Sequence, residues 1–131
     1  MGFLSVIIAA VAAFAFGAVY YMLLSKQWMA AAGIDAGPDG KPVNSGNATP
    51  YIVSFVCIIL VAGMMRHSFA LSGVETFGKG LLSGLGIGLF FISPWIFINT
   101  GYSNRPWTLA VIDAGYATAA AAIMGAVLTL F

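Results

Sequence analysis

The sequence predicts an all-α fold, a bundle of four transmembrane helices, and two observations carry that prediction. The composition is 61% hydrophobic and only 7% charged, whereas a typical soluble domain is about 25% charged. The apolar residues also form four long runs, at about 2–25, 50–71, 79–100 and 106–131, each close to the roughly 20 residues that cross a bilayer. Five basic and four acidic side chains cannot cover a soluble surface and form no basic face for nucleic acid.

The four runs leave room for one domain. Residues 1–131 are therefore predicted to form a single transmembrane domain, and the glycine- and proline-rich stretch 26–49 is predicted to be its one extramembrane loop. The alternative for the start of this loop is that Lys26–Ala32 extends the first helix as an interfacial turn. A lone cysteine, Cys57, excludes an internal disulfide and a cysteine-based zinc site.

The first run has two interpretations. Residues 3–16 resemble the apolar core of a signal peptide, but no basic residue precedes them and the apolar run continues to Leu24, so a retained helix is favoured. Small side chains recur every four residues along it, which is typical of close helix packing in lipid. This stripe consists of Ser5, Ala9, Ala13 and Gly17. Tyr20, Tyr21 and Trp28 are interpreted as an aromatic belt at the membrane interface, with Trp28 as an anchor.

The second run begins with Thr49 as the expected N-cap and Pro50 at the first helical position. Arg66 and His67 near its far end are predicted to be interfacial anchors.

The third and fourth runs continue the small-residue pattern. Gly80, Gly84 and Gly88 form a doubled GxxxG, which favours close packing, and Pro94 is predicted to kink the third helix. Pro106 is expected at the first position of the fourth helix, beside Trp107 at the interface. The fourth run also carries a stripe, Ala114, Thr118, Ala122 and Ala126.

Basic residues divide almost equally between the two membrane faces, so they do not decide the orientation. The termini are predicted to be cytoplasmic because the longer loop, 26–49, is the more easily exported segment. The expected location is a bacterial inner membrane.

Asp113 is the one charge deep inside a run. It lies six residues after Trp107, which is about 9 Å along a helix, and an acid there costs about 2.5–3.5 kcal/mol on insertion scales. It should therefore face protein or water, either as an ion-handling carboxyl or as a structural hydrogen-bonding group. The structural role is favoured because no second acid or histidine is near. The polar candidates to accompany it are Tyr116, Asn99, Thr100 and Arg105.

The sequence contains no catalytic constellation, so no enzyme activity, metal site or cofactor is predicted. Bound lipid is expected. His67 is the only histidine, and its alternative role is axial ligation of a haem or pigment.

Several segments together resemble a known family. They are Trp28-Met29, Gly63, the glycine-rich entry to the third run, Arg105-Pro106-Trp107, Ile112–Tyr116 and Ile123–Leu128. This set is similar to the membrane family called domain of unknown function 1761, over nearly the whole chain. The resemblance implies a small protein of four transmembrane helices and brings no activity or active site. It also implies that the position of Asp113 often holds Asn, which argues against an obligatory proton carrier.

Two functions are predicted from these features. The first is a non-enzymatic accessory or assembly subunit, which associates through its small-residue faces with itself or with a larger membrane complex. The alternative is a small oligomeric transporter or channel that uses Asp113 and the polar groups near the Pro94 kink.

Overall fold

A computed structural model describes residues 2–131. Its helices are α1 Phe3–Leu23, α2 Ser25–Ala32, α3 Thr49–Ser72, α4 Phe77–Gly86, α5 Ser93–Tyr102 and α6 Trp107–Leu128, with a π-helical turn, Ile87–Ile92, joining α4 to α5. Within residues 2–131, four helical segments are long and apolar enough to cross a membrane: α1, α3, α6 and the continuous segment Phe77–Tyr102. The predicted bundle of four transmembrane helices is confirmed.

The central span is α6. Ten of its 22 residues are buried, against six of 21 in α1 and three of 24 in α3. One side of α6 packs against α4 and α5, and the other side packs against α1. The helix α1 also packs against α3. The spans are therefore assembled around α6, except that α3 is held mainly by α1.

Glycines bring α4 and α6 into backbone contact. A methyl group on Gly84 would meet the carbonyl oxygen of Ala121, and one on Gly80 would meet the carbonyl oxygen of Gly125. At Gly88 the added carbon would lie 2.5 Å from the Cα of Thr118. The doubled GxxxG is thus used inside the chain, where it removes the side chains that would hold the two helices apart.

The stripe on α1 is also used inside the chain. Its four members, Ser5, Ala9, Ala13 and Gly17, are all buried. Ala9 and Ala13 belong to the main core cluster, together with Met65 of α3 and Met124 of α6. Small side chains on α1 therefore let it approach both neighbours.

The irregularity predicted at Pro94 takes the form of a π-helical turn, Ile87–Ile92, before the proline. Proline has no N–H to donate, and a wider turn is one way to accommodate that loss. Ser93 follows Gly88 by five residues, and its hydroxyl donates to the Gly88 carbonyl at 2.6 Å. The same hydroxyl lies 3.1 Å from that of Thr118 on α6. Because the π-helical turn contains one extra residue, Ser93 follows Gly88 on the face that packs against α6.

The two halves of α3 are packed differently. Its three buried residues, Ala62, Met65 and Phe69, all lie in the second half, where they join the core. Residues 49–61 include no buried position. The first half of α3 therefore leaves space between itself and α1 on the side of the membrane that carries the 33–48 loop.

Two expected helix starts are corrected. Thr49 is the first residue of α3 rather than its N-cap, and its backbone N–H donates to Oδ1 of Asn47 at 3.1 Å. Pro106 precedes α6 in an extended conformation instead of occupying its first position. Pro50 is accordingly the second residue of α3 and not its first. Proline suits each of these neighbouring positions because its φ is preset and an N–H is not needed at a helix start.

The predicted loop 26–49 is partly helical, since α2 occupies its first part. Gly33 ends α2 with φ +73°, a left-handed conformation that suits glycine. Beyond it the chain forms a tight turn in which Ala36 pairs with Pro42 as an isolated bridge. The N–H of Gly37 donates to the Lys41 carbonyl at 2.7 Å, which fixes Lys41 in this turn.

Candidate functional site

An aromatic cluster joins α1, α2 and α6 near the loop side of the bundle. The ring of Tyr116 on α6 lies between three rings of α1, with centroid distances of 6.0 Å to Phe16, 5.9 Å to Tyr20 and 5.3 Å to Tyr21. Trp28 of α2 packs edge-on against Tyr21 at 6.1 Å. These separations are typical of stabilising aromatic pairs.

The tyrosine hydroxyls tie α1 to α6. Tyr20 donates to the Ile112 carbonyl at 2.7 Å, and Tyr116 donates to the Ala13 carbonyl at 3.0 Å. Glycines make room for both rings. A methyl group on Gly115 would lie 2.7 Å from the Tyr20 hydroxyl, and one on Gly17 would lie 2.8 Å from the Tyr116 ring. The cluster is therefore built from large rings placed over glycines of the opposite helix.

Asp113 joins this cluster through Tyr21. The Tyr21 hydroxyl donates to Oδ1 of Asp113 at 2.7 Å. The other carboxylate oxygen, Oδ2, has no hydrogen-bond partner within residues 2–131. Every fully buried side-chain oxygen and nitrogen in that range has a partner, so Oδ2 is not fully buried. No cation of the described residues forms an ion pair with Asp113.

The space beside Asp113 is a groove of about 680 Å³ between α1, α3 and α6. Asp113 and Tyr116 contribute to its α6 side, and the groove extends to Trp28 of α2 and Lys41 of the loop. Phe14, which also lines it, packs edge-on against Phe55 at 5.5 Å and marks its inner end. A volume between about 300 and 1,000 Å³, mostly apolar lining and a few polar groups are typical of small-molecule sites.

One family model matches residues 4–129, and its description is "Protein of unknown function (DUF1761)". The chain belongs to this family. The resemblance inferred from the sequence motifs is confirmed. No curated protein and no solved structure matches the chain.

In this DUF1761 protein, only Tyr116 among the polar candidates lines the same groove as Asp113. The hydrogen bond to Asp113 comes from Tyr21, which was not among the four candidates. Arg105 instead donates to the Ala32 carbonyl at 2.6 Å, at the C-terminal end of α2. Arginine is well placed there because carbonyl groups without helical partners are exposed at that end.

The candidates on α5 lie elsewhere. The side chain of Asn99 is exposed and that of Thr100 is buried. Neither forms a hydrogen bond with Asp113 in the part of the chain described here. Their placement follows from the central position of α6, which presents Asp113 towards α1 and a different face towards α5.

Tyr21 was missed as a site residue because the Tyr20-Tyr21 pair was assigned to the membrane interface. One signal in the sequence pointed to the actual arrangement. Tyr20 and Tyr21 end the first run near the loop side, and Asp113 lies about two turns into the fourth run from that same side. The depths therefore match, and a tyrosine hydroxyl is a natural donor to a carboxylate inside a membrane.

The opposite end of the bundle has a second groove of about 630 Å³, lined by Arg66, His67 and Glu75. His67 is exposed there. Within residues 2–131, no three His, Cys, Asp or Glu side chains are grouped so as to hold a metal ion. The predicted anchor Trp107 is exposed and stacks on Phe97 with centroids 6.2 Å apart.

Proposed function

We propose that this DUF1761 protein is a non-enzymatic membrane protein that binds a small amphipathic molecule in the groove beside Asp113. The open Oδ2 of Asp113 is the observation that carries the proposal. A purely structural acid needs only the oxygen that accepts from Tyr21, and an asparagine would serve equally well. Asp113 lines an apolar groove, and its Oδ2 has no donor among residues 2–131, so the carboxylate can accept a hydrogen bond from a ligand there. Ionisable side chains inside membranes are commonly functional.

The groove provides the remaining features of a binding site. Its aromatic walls, Phe14, Tyr21 and Trp28, offer flat apolar surface, while Asp113 supplies one strong acceptor for orientation. The rings are held by the cluster and the hydroxyl bonds, so the site is largely formed before a ligand arrives. A preformed site loses little conformational entropy on binding.

Transport remains the second interpretation of Asp113. The polar groups near Pro94 do not support a shared path with it, because the Ser93 hydroxyl is buried in the contact with α6 and bonded to Gly88. Binding without passage therefore agrees better with the placement of these groups.

Association with a second copy or with a larger membrane complex remains a prediction. Its original support, the small-residue stripes, is now explained by contacts within the chain. The outer faces carry large apolar side chains such as Leu82, Phe90 and Phe91, which suit lipid as well as protein. Native mass measurement in several mild detergents tests the prediction. A mass above 13.6 kDa would support association, whereas 13.6 kDa in all of them would contradict it.

Binding in the groove can be measured through Trp28. In a protein carrying Trp95→Phe and Trp107→Phe, which alter two exposed side chains, Trp28 is the only tryptophan. We expect small aromatic probes, 2-phenylethanol and 2-phenylethylamine, to change its fluorescence in a saturable way in maltoside micelles. Ala18→Phe should weaken binding at least tenfold, because Ala18 lines the groove and the added ring fills it.

Ala15→Phe is the matched control for that experiment. Ala15 is an exposed alanine on the same helix and does not line the groove. The variant should bind the probes as the parent protein does. No saturable change with either probe, or equal binding by the Ala18→Phe and parent proteins, would contradict the proposed function.

A further inference from the structure

We propose that the ligand of this groove is an organic molecule with a single positive charge, an ammonium group that meets Asp113 and an apolar body that lies along the aromatic walls. This inference rests on the proposed function and specifies the chemical class of the ligand. Three independent features of the groove support it: the acid, the rings and the position of Lys41.

The acid requires a positively charged or donor partner. A carboxylate removed from bulk water is stabilised when its lone pairs are satisfied by charged donors. Tyr21 satisfies one oxygen of Asp113 and leaves Oδ2 with no donor among residues 2–131. An ammonium group brings both the opposite charge and N–H donors, and charge-assisted hydrogen bonds are about twice as strong as neutral ones.

The rings favour a cation over a neutral donor. Tyr21 and Tyr116 line the groove with Asp113, and their centroids are 5.3 Å apart. Trp28, also in the lining, lies next to Tyr21. A cation within about 6 Å of an aromatic face is attracted by the ring quadrupole, most strongly by tryptophan. The acid and the aromatic walls thus select the same charge.

Lys41 limits that charge to one. It lies in the loop with an exposed side chain and lines the same groove, and its backbone is held by the turn. Its N–H donates to Oδ1 of Asp39 at 3.1 Å, and its carbonyl accepts from Gly37 at 2.7 Å. A ligand with a second positive group would bring that group towards the lysine. The groove therefore combines attraction by Asp113 with repulsion by Lys41, and the repulsion gives specificity against dications.

Four aromatic probes of similar size test the charge preference: 2-phenylethylamine, neutral 2-phenylethanol, anionic 3-phenylpropanoate and the dication of 4-(aminomethyl)phenethylamine. Trp28 fluorescence in the Trp95→Phe, Trp107→Phe protein reports binding at pH 7, in maltoside, which carries no ammonium group. We expect the monocation to bind about 10- to 100-fold more tightly than the alcohol, the range set by one charged hydrogen bond. The anion should bind more weakly than the alcohol, and the dication more weakly than the monocation.

Two variants assign the preference to Asp113. Asp113→Asn keeps an acceptor for Tyr21 but removes the charge, so the amine and the alcohol should bind within about threefold of each other. Tyr21→Phe leaves the carboxylate in place and should preserve the preference for the amine. A preference that survives Asp113→Asn would overturn the proposal, as would its loss in Tyr21→Phe.

Lys41→Glu completes the test, because it should raise the affinity of the dication above that of the monocation. An unchanged order of the two would contradict the role given to Lys41. Saturable binding of the alcohol with no preference for the amine would reject the cation and leave the proposed function standing. Absence of binding by all four probes would reject the proposed function itself.

Discussion

Replacing Gly84 by alanine is expected to lower the free energy of unfolding by about 3 kcal/mol, the upper part of the range for overpacking a tight contact. The added carbon would meet the Ala121 carbonyl oxygen and would lie 3.0 Å from the Cα of Ala122. These are backbone atoms, so no side-chain rotation relieves the contact and α4 must move away from α6. Because α6 is the central span, that movement disturbs the whole bundle.

Gly86→Ala is the matched control, two residues away in the same helix. A methyl group on Gly86 meets nothing within 4 Å, and alanine is the better helix former by about 1 kcal/mol. This variant should be as stable as the parent or slightly more so. Thermal unfolding in maltoside, followed by circular dichroism, compares the two. Equal midpoints for Gly84→Ala and Gly86→Ala would show that backbone contact between α4 and α6 does not hold the fold.

Asp113→Leu should lower the free energy of unfolding by about 2 kcal/mol, within the range for a polar group deprived of its partner. The Tyr21 hydroxyl loses its acceptor in this variant. The leucine gains little in exchange, because the position opens onto the groove. Asp113→Asn should have nearly parental stability, since its amide oxygen accepts the same hydrogen bond.

The Tyr21→Phe background separates the hydrogen bond from other effects at this position. With no hydroxyl to satisfy, Asp113→Leu should cost much less than it does beside Tyr21, and the difference is the coupling energy of the pair. The same unfolding measurement gives all four values. Equal stability of Asp113→Leu and Asp113→Asn beside Tyr21 would mean that the Tyr21–Asp113 hydrogen bond does not stabilise the protein.

The spans could be predicted from the sequence because a bilayer imposes a length. The predicted starts at 2, 50, 79 and 106 differ by at most two residues from Phe3, Thr49, Phe77 and Trp107. Apolar length sets the extent of each span, and the glycines, prolines and charges between the runs set the connections. These signals are local in the chain, so a single sequence contains them.

The rotation of each helix about its axis is harder to predict, and the site depends on it. In a soluble helix the apolar face points inward, but a span in lipid is apolar on all sides and this contrast is lost. Small residues carried part of the information, as Gly84 and Ala13 show. Tyr21 indicated a depth that matches Asp113 but not the direction of its ring, because a tyrosine near the end of a span suits the lipid interface as well as a buried hydrogen bond.

The sequence also does not predict which helix packs against a given small-residue stripe. A stripe such as Gly80, Gly84 and Gly88 predicts a close contact without specifying whether α6 or a second protein supplies the other surface. The structure assigns it to Gly125, Ala121 and Thr118 of the same chain. The π-helical turn before Pro94 could likewise not be predicted from the sequence, because a proline predicts an irregularity in the helix but not how the backbone accommodates it.

The uneven packing of α3 has a mechanical consequence for the groove. The helix is clamped at Phe69, which is 2% exposed, while its first half holds no buried residue. It is therefore anchored in the core through its second half and held more loosely in its first half, where Phe55 packs edge-on against Phe14. Small tilts about the fixed end would widen or narrow the space above Asp113 without separating α4 from α6. The protein can thus combine a preformed aromatic wall on α1 and α2 with a pliable wall on α3, on the other side of the groove.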